Sequence, residues 1–173
     1  MLRLPEGLSL EKLAARHDRK NFFSGEEKVD QWFKGFAKQS QDKNLSRTTL
    51  LLNEAEEVLG FYTLVISYVS FEDLPISLRY KLPNAVLPAM KLTWLGVDES
   101  SQGQGLGAKL LASAMNDCYC LGQELAFCFV LLDCVSPVVK DFYQQFGFYD
   151  LPGHRLKMAL PWKALKQMAS YKS

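Results

Sequence analysis

Apolar side chains at 29, 32, 33, 36 and 37 recur at helical spacing, with Lys28, Lys34 and Lys38 on the opposite side. This predicts a helix over 25–40. Ser24-Gly25-Glu26-Glu27 ahead of it reads as a capping box, in which the serine oxygen takes an amide of the first turn and Glu27 reaches back. A short helix is expected before it, over 8–20. Thr48 to Leu52 is β-branched and apolar and predicts a strand. Asn53–Glu57 then turns the chain into a second strand from Val58 to Phe71. Leu74-Pro75, Leu82-Pro83 and Leu87-Pro88 make Glu72–Ala89 mostly loop, because proline has no amide proton and restricts the residue before it.

Lys91–Asp98 reads as a strand, Gly103–Gly107 as a turn, and Leu106–Leu121 as a helix with apolar residues at helical spacing. Ala126–Leu132 is almost wholly apolar, as a buried central strand should be. Ser136-Pro137 opens a helix that runs to Phe146 and stops at Gly147. One or two strands fill Phe148–Leu160, broken at Pro152-Gly153, and Pro161-Trp162 begins a last helix. The order of elements is that of an α/β protein with a mixed sheet, a single domain over residues 1–173.

Composition narrows this little. Hydrophobic residues at 48% supply a core, and the net charge is only +1. The charge is unevenly spread, however. Lys and Arg outnumber Asp and Glu over 12–47 and again over 151–173, which holds no acid, while the middle is acidic. The bland reading is ordinary solvated faces; the functional one is a basic patch for a nucleic acid or a cofactor's phosphates. Met1 to Gly7 has no apolar run or cleavage site of a signal peptide, and no stretch is long enough to span a membrane, so a cytoplasmic location is expected. Cys118, Cys120, Cys128 and Cys134 lack zinc-ligand spacing, and His17 and His154 lie far off, so no metal site is expected. The thiols read as buried and reduced, the histidines as surface residues.

The informative segment runs from Leu92 to Gly107. A buried strand enters Gln102-Gly103-Gln104-Gly105-Leu106-Gly107, and this loop opens a helix. Glycines let successive amides converge, and the helix start adds partial positive charge, so the loop suits a pyrophosphate. A dinucleotide fingerprint would need Gly-x-Gly-x-x-Gly, and a P-loop would need Gly-Lys-Ser/Thr; neither is present. A purely structural turn is the remaining alternative.

Gln102-x-x-Gly105-x-Gly107, between the fourth strand and third helix, resembles the Gln/Arg-x-x-Gly-x-Gly/Ala signature of GNAT N-acetyltransferases. Phe142-Tyr143-Gln144-Gln145-Phe146-Gly147-Phe148 resembles that superfamily's Phe-Tyr-x-x-x-Gly-Phe. Phe23-Ser24-Gly25, Val29-Asp30-Gln31-Trp32, Ala37-Lys38-Gln39 and Leu59 to Leu64 are similar to the GNAT toxins of toxin–antitoxin modules, over roughly residues 20 to 165. Relatives usually carry Arg in the fourth strand where this chain has Trp94.

The resemblance implies a mixed, mostly antiparallel sheet with splayed fourth and fifth strands and helices on both faces. It implies acetyl-CoA as cosubstrate, its pantetheine arm along Leu95, Gly96 and Val97. Its pyrophosphate would lie on Gln102, Gly103, Gln104, Gly105, Leu106, Gly107 and Ala108. Ser136 is a further contact or a helix cap. Tyr143 is implied as the acid that protonates the leaving thiolate; read without the resemblance, it is a core aromatic. No general base stands out: Glu72 and Asp133 are candidates and bulk water is the alternative, while Trp94 lines the acceptor pocket or packs in the sheet. The acceptor is an amine, with the amino group of aminoacyl-tRNA the specific candidate. Alternatives are a small-molecule, peptide or protein amine, or a non-catalytic CoA-binding module. The implied partners are a small DNA-binding antitoxin and a second copy of the chain.

Overall fold

The computed structural model describes residues 4–170. Seven strands form one sheet in the order β1-β2-β3-β4-β5-β7-β6. These are β1 (Ser9–Lys12), β2 (Arg47–Leu52), β3 (Val58–Ser70), β4 (Val86–Val97), β5 (Phe129–Asp133), β6 (Tyr149–Leu151) and β7 (His154–Pro161). Five helices accompany them: α1 (Glu27–Gly35), α2 (Ala37–Asp42), α3 (Leu106–Glu124), α4 (Lys140–Gln144) and α5 (Trp162–Ser170). β4 and β5 are a parallel pair; β1/β2, β2/β3, β5/β7 and β6/β7 are antiparallel. The chain divides into two compact units. One comprises residues up to Val65 with Thr93–Met115, the other Ile66–Leu92 with residues from Asn116 onward.

In the first unit the expected helix over 8–20 is replaced by β1, which pairs with β2 from Ser9↔Leu52 to Lys12↔Thr49. Tertiary pairing overrides the local pattern here. His17, expected at the surface, is buried: its Nδ1 accepts the Ala14 amide at 2.9 Å and its Nε2 lies 3.3 Å from Glu11. The helix expected over 25–40 is two helices, broken at Phe36, whose φ of −123° leaves the helical range. Phe36 is consequently 58% exposed and drops out of the apolar stripe, while Val29, Phe33 and Ala37 remain buried.

The capping box does not form. Glu26 occupies the N-cap position and makes no side-chain cap. Ser24 instead gives its amide (2.9 Å) and hydroxyl (2.8 Å) to Asp30, and Glu27 accepts from Gln31. The core here joins Phe22, Val29, Phe33 and Phe61 with Leu13, Leu50 and Leu52, and Trp32 and Trp94 pack against it.

In the second unit, the expected loop over Glu72–Ala89 contains 3₁₀ turns at Phe71–Asp73 and Ile76–Leu78. β4 starts at Val86, earlier than the prolines suggest. Pro88 is tolerated because it contributes its carbonyl, which accepts the Cys128 amide at 2.9 Å. β5 is shorter than expected, beginning at Phe129. The helix expected from Ser136 to Phe146 is a 3₁₀ turn at Pro137–Val139 followed by the short α4, and Ser136 makes no side-chain cap. Val69, Leu74, Leu87, Ala89, Phe129, Leu131, Leu151 and Ala159 form this unit's core. All four cysteines are free thiols, but Cys120 is exposed rather than buried. Burial, and secondarily the charge of Asp117, pushes the Cys118 thiol up to about 12.

Trp162 stacks on Tyr119 with ring centroids 5.6 Å apart, and it leaves no room at Gly122, where a Cβ would lie 2.3 Å from the indole. Gly122→Ala is therefore expected to overpack this contact and cost about 1–3 kcal/mol. Urea denaturation checks this. Recovery of the midpoint in the Gly122→Ala/Trp162→Leu double variant assigns the loss to the indole, and an unshifted midpoint in the single variant contradicts it.

Candidate acyl-transfer site

The end of β4 sets the geometry. Its pairing with β5 runs from Ala89↔Phe129 to Leu92↔Leu132 and stops there, although β4 continues to Val97. At the first residue past the last pair, Thr93 carries a buried hydroxyl oxygen with no hydrogen-bond partner. Gly96 is buried, and an added Cβ would lie 2.9 Å from Val29, 3.0 Å from Phe61 and 3.5 Å from Phe22. Its residue type follows from close packing. Leu95 and Val97 alternate with it and are half-buried.

The chain leaves β4 through a braced turn. Asp98 caps the 3₁₀ turn Glu99–Ser101, accepting the Ser100 amide (3.1 Å) and hydroxyl (2.6 Å) on one oxygen. Its other oxygen accepts the Phe23 amide at 2.9 Å, and the Glu99 amide returns a bond to the Phe23 carbonyl at 2.8 Å. Desolvation would raise the Asp98 carboxyl. The bonds from Ser100 and Phe23, with the nearby charge of Lys34, outweigh it and hold the pKa below the ordinary value.

Gln102 donates from one amide nitrogen to two carbonyls, Ser24 at 2.7 Å and Val97 at 2.9 Å. The side chain is thereby committed to bracing the loop. Phe23, Gly25, Glu27, Asp30, Gln31 and Lys34 line a cleft of about 420 Å³ beside this braced segment.

Gly103 and Gly105 have φ of +77° and +75°, the left-handed region that glycine enters without Cβ strain. A Cβ at either would meet nothing within 4 Å, so the loop's outer surface is open. Gln104 is exposed and Leu106 buried; Gly107 and Ala108 are half-buried at the start of α3. A Cβ at Gly107 would lie 3.9 Å from the Val97 side chain. The first-turn amides of a 19-residue helix have no acceptor within the helix, so they and the open loop suit an anion.

Tyr143 stands on α4. It meets Phe142 and Phe148 edge-on at centroid distances of 5.1 and 6.0 Å. Burial pushes its phenol up to about 12, with a smaller contribution from Cys134. Gly147, with φ +91°, ends the segment and lets Phe148 turn back under it. Ser136 is extended and half-buried before the Pro137 turn. Of the candidate bases, Asp133 is tied to Lys91 at 2.5 Å and Glu72 is exposed. Among the described residues no cluster of three or more His, Cys, Asp or Glu could hold a metal ion.

Asp98 was not singled out from the sequence. Its signal was legible in Asp98-x-Ser100, a pattern in which an aspartate oxygen caps the amide two residues on. The Trp32–Trp94 stack carried no signal, because 62 residues separate its partners.

The family model described as an acetyltransferase (GNAT) domain matches residues 46–150. A "tRNA-acetylating toxin" of Mycobacterium tuberculosis (strain ATCC 25618 / H37Rv) is 28% identical, over 88% of this chain and 90% of its own. AtaT complexed with acetyl-methionyl-tRNAfMet superimposes with a TM-score of 0.86 at 28% identity, covering 94% of this chain and 99% of that one. A Tyr→Phe mutant of AtaT, bound to the C-terminus of the antitoxin AtaR, gives 0.80 at 25% identity, over 94% and 98%. No described helix is long and apolar enough to cross a membrane. The glycine loop that opens α3 lies inside the matched residues, and the protein belongs to the GNAT acetyltransferase family.

Proposed function

We propose that this chain moves the acetyl group of acetyl-CoA onto the α-amine of an aminoacyl-tRNA, in the cytoplasm, as the toxin of a pair whose antitoxin restrains it. The reading rests on one observation above the others: an open, left-handed glycine loop that runs into the first turn of α3. Backbone amides over 103–108 would hold the pyrophosphate, with Gln102 positioning the loop from behind. Leu95, Gly96 and Val97 would pair with the pantetheine arm through backbone groups freed where β4 leaves its ladder. The orphaned Thr93 hydroxyl favours a ligand there, because a buried polar group normally has a partner. The similarity to a tRNA-acetylating toxin and to a tRNA-bound acetyltransferase supports the acceptor. The basic segments 12–47 and 151–173 suit a polyanion. The single domain over 1–173 belongs to the same reading.

Direct attack of the amine on the thioester carbonyl needs no enzyme nucleophile. The C–N bond forms, the C–S bond breaks, and the protein supplies proximity. The attacking nitrogen loses a proton to solvent, the departing thiolate takes one from Tyr143, and the tyrosinate regains its proton from solvent. A phenol raised to about 12 keeps its proton at neutral pH and so has one to donate, although the same burial makes it a weaker acid than a free phenol. Ser136 remains a proposed cofactor contact.

Radiolabelled acetyl transfer to charged tRNA tests the reaction. Tyr143→Phe is expected to lower kcat by roughly 10²–10⁴-fold with little change in acetyl-CoA affinity by calorimetry; equal turnover removes the phenol from the mechanism.

The pH profile adds a check. Activity should fall below about pH 8 as the acceptor ammonium forms. Tyr143 should contribute no alkaline limb up to pH 10, because its proton is lost only near 12. An alkaline limb near pH 9 that disappears in Tyr143→Phe contradicts this.

Gly105→Val places a β-branched residue at φ +75° and disturbs the loop without a clash. It should weaken acetyl-CoA binding at least about tenfold, equivalent to about 1.4 kcal/mol. Undiminished calorimetric affinity would move the pyrophosphate elsewhere.

A further inference from the structure

Trp94 closes a ladder of aromatic rings. It stacks on Trp32 with centroids 5.4 Å apart and planes at 19°. Trp32 stacks on Phe61 at 6.3 Å and 18°, and Phe61 on Phe33 at 4.0 Å and 8°. Phe61 and Phe33 are fully buried, and Phe22 meets both edge-on at 5.5 and 4.8 Å. The inner end of the stack is therefore clamped, while the two indoles at its outer end are only partly buried. A half-open indole on rigid support is a prepared surface: its orientation is fixed by the ring beneath it, so a ligand need not order it.

The position of this surface gives it a role. Trp94 lies two residues beyond the last β4–β5 pair, at the start of the stretch where β4 runs free of that ladder. It shares a face of β4 with Gly96, where a Cβ would touch Val29, Phe61 and Phe22. Val97, on the alternate face, points toward Gly107 and the start of α3. One strand thus carries the phosphate loop on one side and the indole pair on the other.

We infer that Trp94, supported by Trp32, is a specificity-determining surface that packs against the side chain next to the acceptor amine and selects apolar or aromatic side chains over small or acidic ones. This rests on the acyl-transfer reading above and extends it to the acceptor. Of the charged groups beside the stack, Arg19, over the Phe33 ring, donates to the Phe33 carbonyl at 2.6 Å, and Asp30 has one oxygen held by Ser24 and the other buried without a partner. A flat indole surface rewards apolar and planar groups and offers a carboxylate nothing to replace its water.

The experiment measures acetyl transfer from acetyl-CoA to two acceptor sets: tRNAs charged with Met, Phe, Gly or Asp, and the amides of the same four amino acids. Both sets are run with the wild type, Trp94→Ala and Trp94→Leu. The wild type is expected to favour Met and Phe over Gly and Asp by at least about tenfold in kcat/KM, the scale of discrimination that apolar contacts supply. Trp94→Ala should collapse that ratio, and Trp94→Leu should keep preference for Met while losing it for Phe. Calorimetry with CoA and a thermal melt establish that each variant is folded. Should Trp94→Ala not fold, Trp94→Leu alone decides through the Met-to-Phe ratio.

Equal rates across the four side chains, or a uniform fall in the variants, would overturn the indole assignment and leave the tRNA reading standing. Selective transfer to the amides with none to any charged tRNA would do the reverse. Transfer to neither set overturns both.

Discussion

A backbone amide or carbonyl taken from water must find a partner, and β4 stops pairing with β5 at Leu92 while the strand itself runs on to Val97. The site depends on this interrupted ladder. Backbone groups of β4 past Leu92 have no β5 partner, and under the proposed function an extended amide-bearing chain would pair with them. The pantetheine arm of coenzyme A is such a chain. The unpartnered Thr93 hydroxyl marks the place where the protein's own pairing ends.

An open edge needs rigid support, and polar side chains supply it. Asp98 binds the Phe23 amide and the Ser100 turn together, and Gln102 ties the carbonyls of Ser24 and Val97. These bonds link segments 75 and 78 residues apart in sequence. They hold the entry to the glycine loop fixed. The loop then requires flexibility of residue type only at Gly103 and Gly105, where φ is positive. The Gln102 amide shapes the loop, and under the proposed function the loop's backbone would be what a phosphate meets.

Much of this was legible in the residues. The hairpin of β2 and β3, the strand–loop–helix unit around Gly103–Gly107 and the break at Pro152-Gly153 follow from local chemistry: alternation, β-branching and turn residues. The two family motifs pointed to acetyl transfer, one in the loop that opens α3 and the other at α4 and the turn after it. The misreadings share a cause, since each was decided by a partner distant in sequence. Residues 8–20 carry a helix-compatible pattern, yet β2 offers Ser9–Lys12 a strand to pair with. Ser24 has the residue type of a helix cap, but its oxygen accepts the Glu26 amide at 3.2 Å, one step short of the first turn, while its amide and hydroxyl donate to Asp30. His17 lies in a polar segment, yet the Ala14 amide and Glu11 satisfy its ring inside the fold.

Gly96 connects these observations. Its neighbours Leu95 and Val97 face the α3 side of β4, whereas Gly96 and Trp94 face the rings of Phe22, Phe61 and Trp32. A methyl group at 96 would press on Val29 and Phe61 at about 3 Å. Phe61 is clamped against Phe33 at 4.0 Å and cannot retreat, so the strain would pass to Trp32 and then to Trp94. Under the proposed function, glycine at this position would serve the acceptor side of the strand through packing, while the backbone at the same position would serve the donor side through hydrogen bonding. On that reading the two sides would use different parts of the same residues, so side chains on the aromatic face would vary the acceptor without disturbing how the strand and loop hold the acetyl donor.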